Sequence, residues 1–330
     1  MATLDDVVVP QCTFPDEIVE DILIRAWLSP NWPSPKERWL WYFKILGISR
    51  QWNRIIRSVV FNYRMLQTLA DFQLYTHLHP PTLEDGTARR FKYLKFPSND
   101  LAMTFLYAFD LEQYLDQCIE LDIAPMSDGN LWTLLKILSC ADVETPLRSF
   151  AFAFQNYAAH SFPTKDIWGD LVTRAPKLSA ITTLSITCTS TKQTGWIYRD
   201  IMDFRSSLLP FPNLKHLRTN VPISLNLVAE YLQTLVTLTL DVPPVYLKTF
   251  HATSLLNWGL ISALKNGAFR PRKVVIESGP LKPLGWDQLR KVCETQGVLL
   301  VYEVKYSGEV VPPRVIPPVE ESTRNLEGAL

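Results

Sequence analysis

The chain contains 330 residues, of which 47% are hydrophobic and 20% are charged, and its 33 basic residues balance its 33 acidic residues. This length predicts about two domains, with enough apolar material for a large core. The zero net charge argues against whole-chain attraction to nucleic acid or anionic lipid. No apolar run approaches the ~20 residues that span a bilayer. On these two grounds, neither nucleic acid nor a membrane is an expected partner.

The first ten residues and the cysteines bear on cellular location. Residues 1–10 lack a basic segment, so they predict a flexible N-terminus and no secretory signal. The cysteines are five in number and scattered, a pattern that favours reduced thiols. Since reduced thiols are typical of reducing compartments, we expect a cytoplasmic or nuclear protein.

Residues 11–64 predict a domain of three short helices. The first follows Pro15, which suits a first helical turn, and Asp16 stands where the helix dipole favours negative charge. Ser34 and Glu37 form a capping box for the second helix, and Ser49 can cap the third. Five of the ten tryptophans lie between positions 27 and 52. Three short helices cannot enclose so much apolar surface, so they either pack against the rest of the chain or leave a surface for a partner.

The three predicted helices carry an ordered set of residues: Phe14-Pro15-Asp16-Glu17-Ile18, then Ile22-Leu23, and later Ile48-Ser49-Arg50-x-Trp52-x-x-Ile55-Ile56. This order resembles the F-box, whose usual pattern is Leu-Pro-x-Glu-Ile, an Ile-Leu pair and a late Val-Ser/Cys-Arg/Lys-x-Trp. Two departures are Phe14 in place of the usual leucine and the segment "SPNWPSPKER" (29–38), which lengthens the first connection.

The resemblance implies a partner for this domain. An F-box docks on the acidic Skp-type adaptor of a cullin–RING ubiquitin ligase, and the corresponding residues here are Phe14, Pro15, Ile18, Ile22 and Trp52. The charge of residues 34–64 suits an acidic partner, although a solvated helix face is the alternative interpretation. Against the single acid Glu37 stand Lys36, Arg38, Lys44, Arg50, Arg54, Arg57 and Arg64.

Residues 65–90 predict a connecting helix and a loop, with helix continuing through "RMLQTLADFQLYTHL" (64–78). From residue 91 to residue 306 one pattern, apolar-x-x-apolar-x-apolar, returns eight times at intervals of 21 to 36 residues. Its copies are Phe91/Leu94/Phe96, Cys118/Leu121/Ile123, Leu147/Phe150/Phe152, Ile181/Leu184/Ile186, Leu214/Leu217/Thr219, Leu235/Leu238/Leu240, Pro271/Val274/Ile276 and Leu299/Tyr302/Val304. Helical patterns separate them at 100–109, 131–139, 167–173, 197–207, 225–232, 255–266 and 286–296.

One strand and one helix per repeat loosely resembles the leucine-rich repeat. The expected fold is therefore α/β, with a three-helix F-box followed by an irregular leucine-rich-repeat-like solenoid of parallel strands and helices. An ordinary α/β sheet is the alternative. Residues 307–330 hold several prolines and few large apolar side chains, so they predict a disordered tail.

Side chains between the apolar positions of each strand are expected to point outward. Among them, Arg148, His216 and Arg218 come from nearby strands and suggest a basic centre, with acids to one side. Arginine forks suit carboxylates and phosphates, so this centre predicts an acidic or phosphorylated cargo segment. Plain solvation is the alternative for most members of the outward set, which is Tyr93, Lys95, Glu120, Asp122, Arg148, Ser185, His216, Arg218, Thr239 and Lys273.

The motifs of common catalytic sites are missing from the sequence. Glycine spacing excludes G-x-G-x-x-G and P-loop motifs, and no cysteine pair has zinc-finger spacing. We therefore expect no catalytic residues, no metal site, no cofactor and no enzymatic activity. The predicted function is that of a substrate-recognition adaptor in a Skp–cullin–F-box ubiquitin ligase, with the F-box binding the adaptor and the repeats binding cargo. The alternative is a non-catalytic repeat scaffold whose F-box-like helices only cap the solenoid.

Overall fold

The computed structural model describes residues 14–29, 31–78, 90–97, 117–126, 146–154, 180–188, 211–220, 225, 229–242 and 254–305. In this part of the chain an N-terminal helical unit is followed by a parallel β-sheet. The α/β class is therefore confirmed. None of the described helices combines the length and apolar character needed to cross a bilayer.

Three helices form the N-terminal unit: α1 (Asp16–Trp27), α2 (Pro35–Leu46) and α3 (Arg50–Asn62). The side chain of Ser34 accepts a hydrogen bond from the Glu37 N–H at 3.3 Å, and that of Ser49 accepts one from the Trp52 N–H at 3.2 Å. These bonds satisfy amide groups that would otherwise lack partners in the first turn. The two predicted N-caps and the three predicted helices are confirmed.

The segment after α3 differs from the prediction. Helix was expected through residues 64–78, but the structure has strand β1 (Tyr63–Met65) before helix α4 (Leu69–Leu78). β1 pairs in parallel with β2 (Phe91–Phe96), and Arg64 is buried with its guanidinium 4.2 Å from the centre of the Phe91 ring. The sheet thus begins inside the predicted helical domain, one strand before the first predicted repeat.

The nine strands within the described residues belong to one sheet, and each pairs in parallel with the next of them, in the order β1 to β9. No described strand is inserted out of sequence order, unlike doubly wound sheets, where the order reverses. The remaining strands are β3 (Cys118–Met126), β4 (Ser149–Phe154), β5 (Thr183–Cys188), β6 (His216–Thr219), β7 (Thr237–Asp241), β8 (Lys273–Ser278) and β9 (Leu299–Val304).

The predicted repeat positions form the covered face of the sheet. In the first seven copies every apolar position is buried, together with Thr219 and Pro271. In the eighth copy two of the three predicted positions are wrong, because Leu299 and Val304 are more than half exposed. The register pairs Val274 with Leu300 and Ile276 with Tyr302. Because β9 has a described partner on one side only, its alternation is weaker and the repeat pattern alone misplaces it.

The C-terminal helical predictions are largely confirmed. Residues 255–266 contain a 3-10 helix (Leu255–Trp258) and helix α5 (Leu260–Lys265), and α6 (Trp286–Gln296) ends at Gly297, whose φ of 67° favours glycine. Of the predicted helix 225–232, the structure has a 3-10 helix at Ala229–Leu232. The predicted helices 100–109, 131–139, 167–173 and 197–207, the N-terminus 1–10 and the tail 307–330 lie outside the described residues.

An aromatic cluster joins the helical unit to the sheet and accounts for most of the clustered tryptophans. Trp27 and Trp39 meet edge to face with ring centres 5.2 Å apart, and Trp39 meets Tyr75 of α4 at the same distance. The indole N–H of Trp27 donates to the Tyr63 carbonyl of β1 at 2.8 Å. These rings pack with each other, so they are not part of the exposed surface.

A buried ion pair lies beside these rings. Arg38, which is fully buried, donates to Asp71 at 3.0 Å and to the Met65 carbonyl at 2.8 Å, and its guanidinium lies 4.6 Å from the centre of the Trp27 ring. Asp71 also accepts hydrogen bonds from the Trp39 indole and from backbone amides at the start of α4. The helical unit, β1 and α4 are thus tied together by one polar network that is closed to solvent.

Candidate functional site

A row of apolar side chains lies exposed along α1. Phe14, Ile18 and Ile22 are spaced four residues apart and are 56%, 49% and 47% exposed. The opposite face of the same helix buries Val19, Leu23 and Trp27 in the core. The apolar side chains of this helix and its N-terminal end are therefore divided between a core face and an uncovered face. We call Phe14, Ile18 and Ile22 the α1 row.

Three further large apolar side chains of the helical unit are also about half exposed. Leu40 and Phe43 lie on α2, and Ile48 precedes the N-cap of α3. Contiguous exposed apolar surface is uncommon on soluble proteins and marks sites of association. The helical unit thus exposes six large apolar residues in fewer than forty positions, while other apolar residues of the same helices are buried in the core.

The start of α1 is held against α3 by polar contacts. The Gln51 side-chain amide donates to the Phe14 carbonyl and to the Asp16 carboxylate, both at 2.7 Å, and Arg54 contacts the same carboxylate. The hydrogen bonds from Arg54 and then Gln51 lower the pKa of Asp16. These contacts fix the orientation of the α1 row relative to α3.

The other predicted adaptor-binding residues have different surroundings. Pro15 is exposed and precedes the first turn of α1. Trp52 is only partly exposed and packs against the core. Two of the cations expected to suit an acidic partner are not on the surface, because Arg38 and Arg64 are buried beside the aromatic cluster. The cations that remain exposed are Lys36, Lys44, Arg50, Arg54 and Arg57.

A groove of about 580 Å³ lies on the uncovered face of the sheet, across β3 to β7. Its floor is built from small side chains on β4 and β5, including Ala151, Ala153 and Ser185. Asp122 lies at one flank, and His216 and Arg218 lie toward the other. The volume is within the ~300–1,000 Å³ range of ligand-binding clefts. We call this feature the central groove.

The β2–β3 flank is held by internal hydrogen bonds and charge pairs. The Tyr93 hydroxyl donates to Asp122 at 2.6 Å, and the Lys95 amine lies 3.5 Å from the same carboxylate. Burial and, next, the negative charge of Asp122 raise the pKa of Tyr93, so its hydroxyl stays a donor. Glu120 on the same face is exposed, and partial desolvation raises the pKa of its carboxyl group.

The β6 flank belongs to a second charged cluster. Arg218 donates to Glu277 of β8 at 2.5 Å, and Lys305 contacts both Glu277 and Asp241 of β7. His216 is exposed at the start of β6. Arg148 is exposed just before β4, outside the residues that line the central groove. The structure therefore brings His216 and Arg218 together in the groove and leaves Arg148 beside it.

Sequence reasoning missed the acidic partners of this cluster. Arg218 and Glu277 are 59 positions apart, and no local pattern signals their contact. Ser185 of the floor was in the predicted outward set, but Ala151 and Ala153 were missed, since alanine carries no charge and gives only a weak hydrophobic signal. Only their place between the apolar repeat positions of β4 could have indicated them.

The described residues offer few groups for catalysis. They contain no cluster of three or more histidine, cysteine or acidic side chains able to hold a metal ion. The described thiols Cys118 and Cys293 are buried, and burial raises the pKa of Cys293 to about 11 and that of Cys118 further. Neither thiol forms a thiolate readily at neutral pH.

Neither a family model, nor a curated protein, nor a solved structure matches this chain.

Proposed function

We propose that this chain is the substrate-recognition subunit of a Skp–cullin–F-box ubiquitin ligase. In this proposal the helical unit is an F-box that binds a Skp-type adaptor, and the strands belong to a leucine-rich-repeat-like solenoid that binds cargo. The chain itself performs no catalysis, and ubiquitin transfer is carried out by the cullin–RING subunits.

The exposed α1 row is the observation that carries this proposal. Phe14, Ile18 and Ile22 stand at positions where the F-box pattern places adaptor contacts, and each is about half exposed. Exposing three large apolar side chains on one helix is costly unless a partner covers them, since burial yields ~25 cal/mol per Å² of apolar surface. The exposed cations of α2 and α3 give the same unit a surface suited to an acidic partner.

The strictly sequential parallel sheet supports the second half of the proposal. Parallel crossovers are almost always right-handed, so a chain that always advances in one direction carries its connections on one face. The repeat positions are buried on one face of the described sheet, and most side chains of the other face are half-buried or exposed. This one-sided arrangement is typical of repeat solenoids, which bind partners on the uncovered strands.

The repeat-scaffold alternative is also supported by an observation. α3 contacts β1 and β2, and the Arg38–Asp71 pair ties the helices to the first strands, as expected of a helical cap on a solenoid. A cap, however, needs only its inner face to be apolar. The outward α1 row has no role in capping, and for this reason we favour the adaptor function.

Assembly with ligase subunits tests the proposed function. We expect the full chain, co-expressed with a Skp-type adaptor and a cullin–RING pair, to elute with them as one complex in size-exclusion chromatography. The apolar surface of the α1 row would be buried against the adaptor in that complex. If the folded chain elutes alone while the other subunits assemble with a known F-box protein in the same experiment, the adaptor function is wrong.

A further inference from the structure

Two rows of residues cross the uncovered face of the sheet with the same arrangement of charge. The strand register places Glu120, Ser149, Thr183 and His216 side by side in one row. The next row contains Asp122, Ala151, Ser185 and Arg218. In both rows an acid on β3 is separated from a basic side chain on β6 by two small residues.

The spacing between the ends of each row follows from sheet geometry. Neighbouring strands lie ~4.8 Å apart, so the three steps from β3 to β6 span about 14 Å. An extended peptide rises ~3.3 Å per residue, and four residues cover about 13 Å. Side chains four positions apart point to the same side of an extended chain. A peptide lying across the strands can therefore place two side chains over the two ends of a row.

The two rows differ in how their charges are already used. Asp122 is bonded to Tyr93, and Arg218 is bonded to Glu277. Among the residues that the structure describes, Glu120 and His216 are exposed and form no ion pair. A His216 imidazole N–H can donate to a carboxylate in either protonation state. The first row thus offers an acceptor, Glu120, and a donor, His216, that are open to a partner. The second row, two positions further along the same strands, has its acid and its base at the same two ends.

We propose that the central groove binds an extended segment of the cargo protein that carries a basic and an acidic side chain about four positions apart. The basic side chain lies over Asp122 and over Glu120, which stands beside the groove on β3, and the acidic one lies over His216 and Arg218. A small or apolar side chain midway between them rests on Ala151 and Ser185. The inference rests on the proposed function only in taking the bound segment to belong to a cargo protein. It differs from the acidic or phosphorylated segment predicted from sequence, because Arg218 is paired with Glu277.

Fluorescence anisotropy with short labelled peptides tests the proposal on the full chain. One peptide has Lys and Glu four positions apart with Val between them. The comparison peptides have the same composition with the charges adjacent, or carry Glu or Lys at both positions. We expect the first peptide to bind about tenfold more tightly than the others, since like charges placed opposite each other are strongly unfavourable. Equal binding of all four peptides, or no binding by any, overturns the proposal.

Two charge-reversal variants test whether the peptide preference changes in a predicted direction. Glu120→Lys should change the preference to the doubly acidic peptide, and His216→Glu should change it to the doubly basic one. Glu294→Lys on α6 is the matched control, and it should leave the preference unchanged. If neither Glu120→Lys nor His216→Glu changes the order of affinities, the surface between β3 and β6 is not the binding site. The measurement needs no ligase subunit, so its failure is distinguishable from a failure of assembly with the adaptor.

Discussion

Replacing Asp71 with alanine is expected to lower the free energy of unfolding by ~3–5 kcal/mol, the usual cost of removing one partner of a buried ion pair. The change leaves the Arg38 guanidinium fully buried without its counter-charge. It also removes the acceptor of the Trp39 indole and the cap of two amides before α4. Urea unfolding followed by tryptophan fluorescence measures the loss, because several of the tryptophans lie in or beside this network.

The matched control is Asp21→Ala, which removes an ion pair with Arg25 that is exposed on α1. Such surface pairs contribute ~0–1 kcal/mol. Adding Arg38→Met to Asp71→Ala should recover part of the lost stability, since the unpaired charge is then removed as well. If Asp71→Ala costs no more than Asp21→Ala, the network does not hold the helical unit to the sheet.

The second large effect is expected from ending the chain at residue 284. This truncation removes α6 and β9, so the backbone edge of β8 becomes unpaired and α5 loses the helix that packs against it. Exposed apolar strands with free edges associate readily. We expect the truncated protein to aggregate, as measured by size-exclusion chromatography with light scattering.

A truncation after Lys305 provides the control for this experiment. It removes only residues outside the described part of the chain and keeps the Lys305 contacts with Asp241 and Glu277. It should remain soluble and unfold cooperatively. A soluble, cooperatively unfolding protein that ends at residue 284 would contradict the view that each repeat needs its neighbour.

Much of the sheet could be predicted because its strands are covered on one face only. The pattern apolar-x-x-apolar-x-apolar marks the covered side chains, and in seven copies those side chains are buried. β1 was missed because three residues, Tyr63–Met65, are too few to show alternation and include a buried arginine. The burial of Arg64 depends on Phe91, a contact that no local pattern encodes.

The candidate sites were predicted less completely than the sheet. The residues of the α1 row were indicated by the resemblance to the F-box, which implies adaptor contacts at Phe14, Ile18 and Ile22. Helical spacing alone does not separate them from the buried side chains Val19, Leu23 and Trp27. The basic centre was predicted without Glu277 and Lys305, which alter its charge and are distant in sequence. The order of charge across the sheet depends on strand register, which the sequence does not give. The register in the structure places Glu120, Ser149, Thr183 and His216 side by side on four neighbouring strands.

The most direct measurement for the adaptor function is the affinity of the folded chain for a purified Skp-type adaptor, by isothermal titration calorimetry. The wild type is compared with an Ile18→Asp/Ile22→Asp variant and with a Leu281→Asp/Leu284→Asp control, whose leucines are exposed but lie outside the helical unit. Loss of two apolar anchors at ~2 kcal/mol each predicts binding weakened by at least about a hundredfold in the first variant and unchanged in the control. A wild-type chain that does not bind the adaptor, or a folded Ile18→Asp/Ile22→Asp variant that binds as tightly as the wild type, would contradict the account.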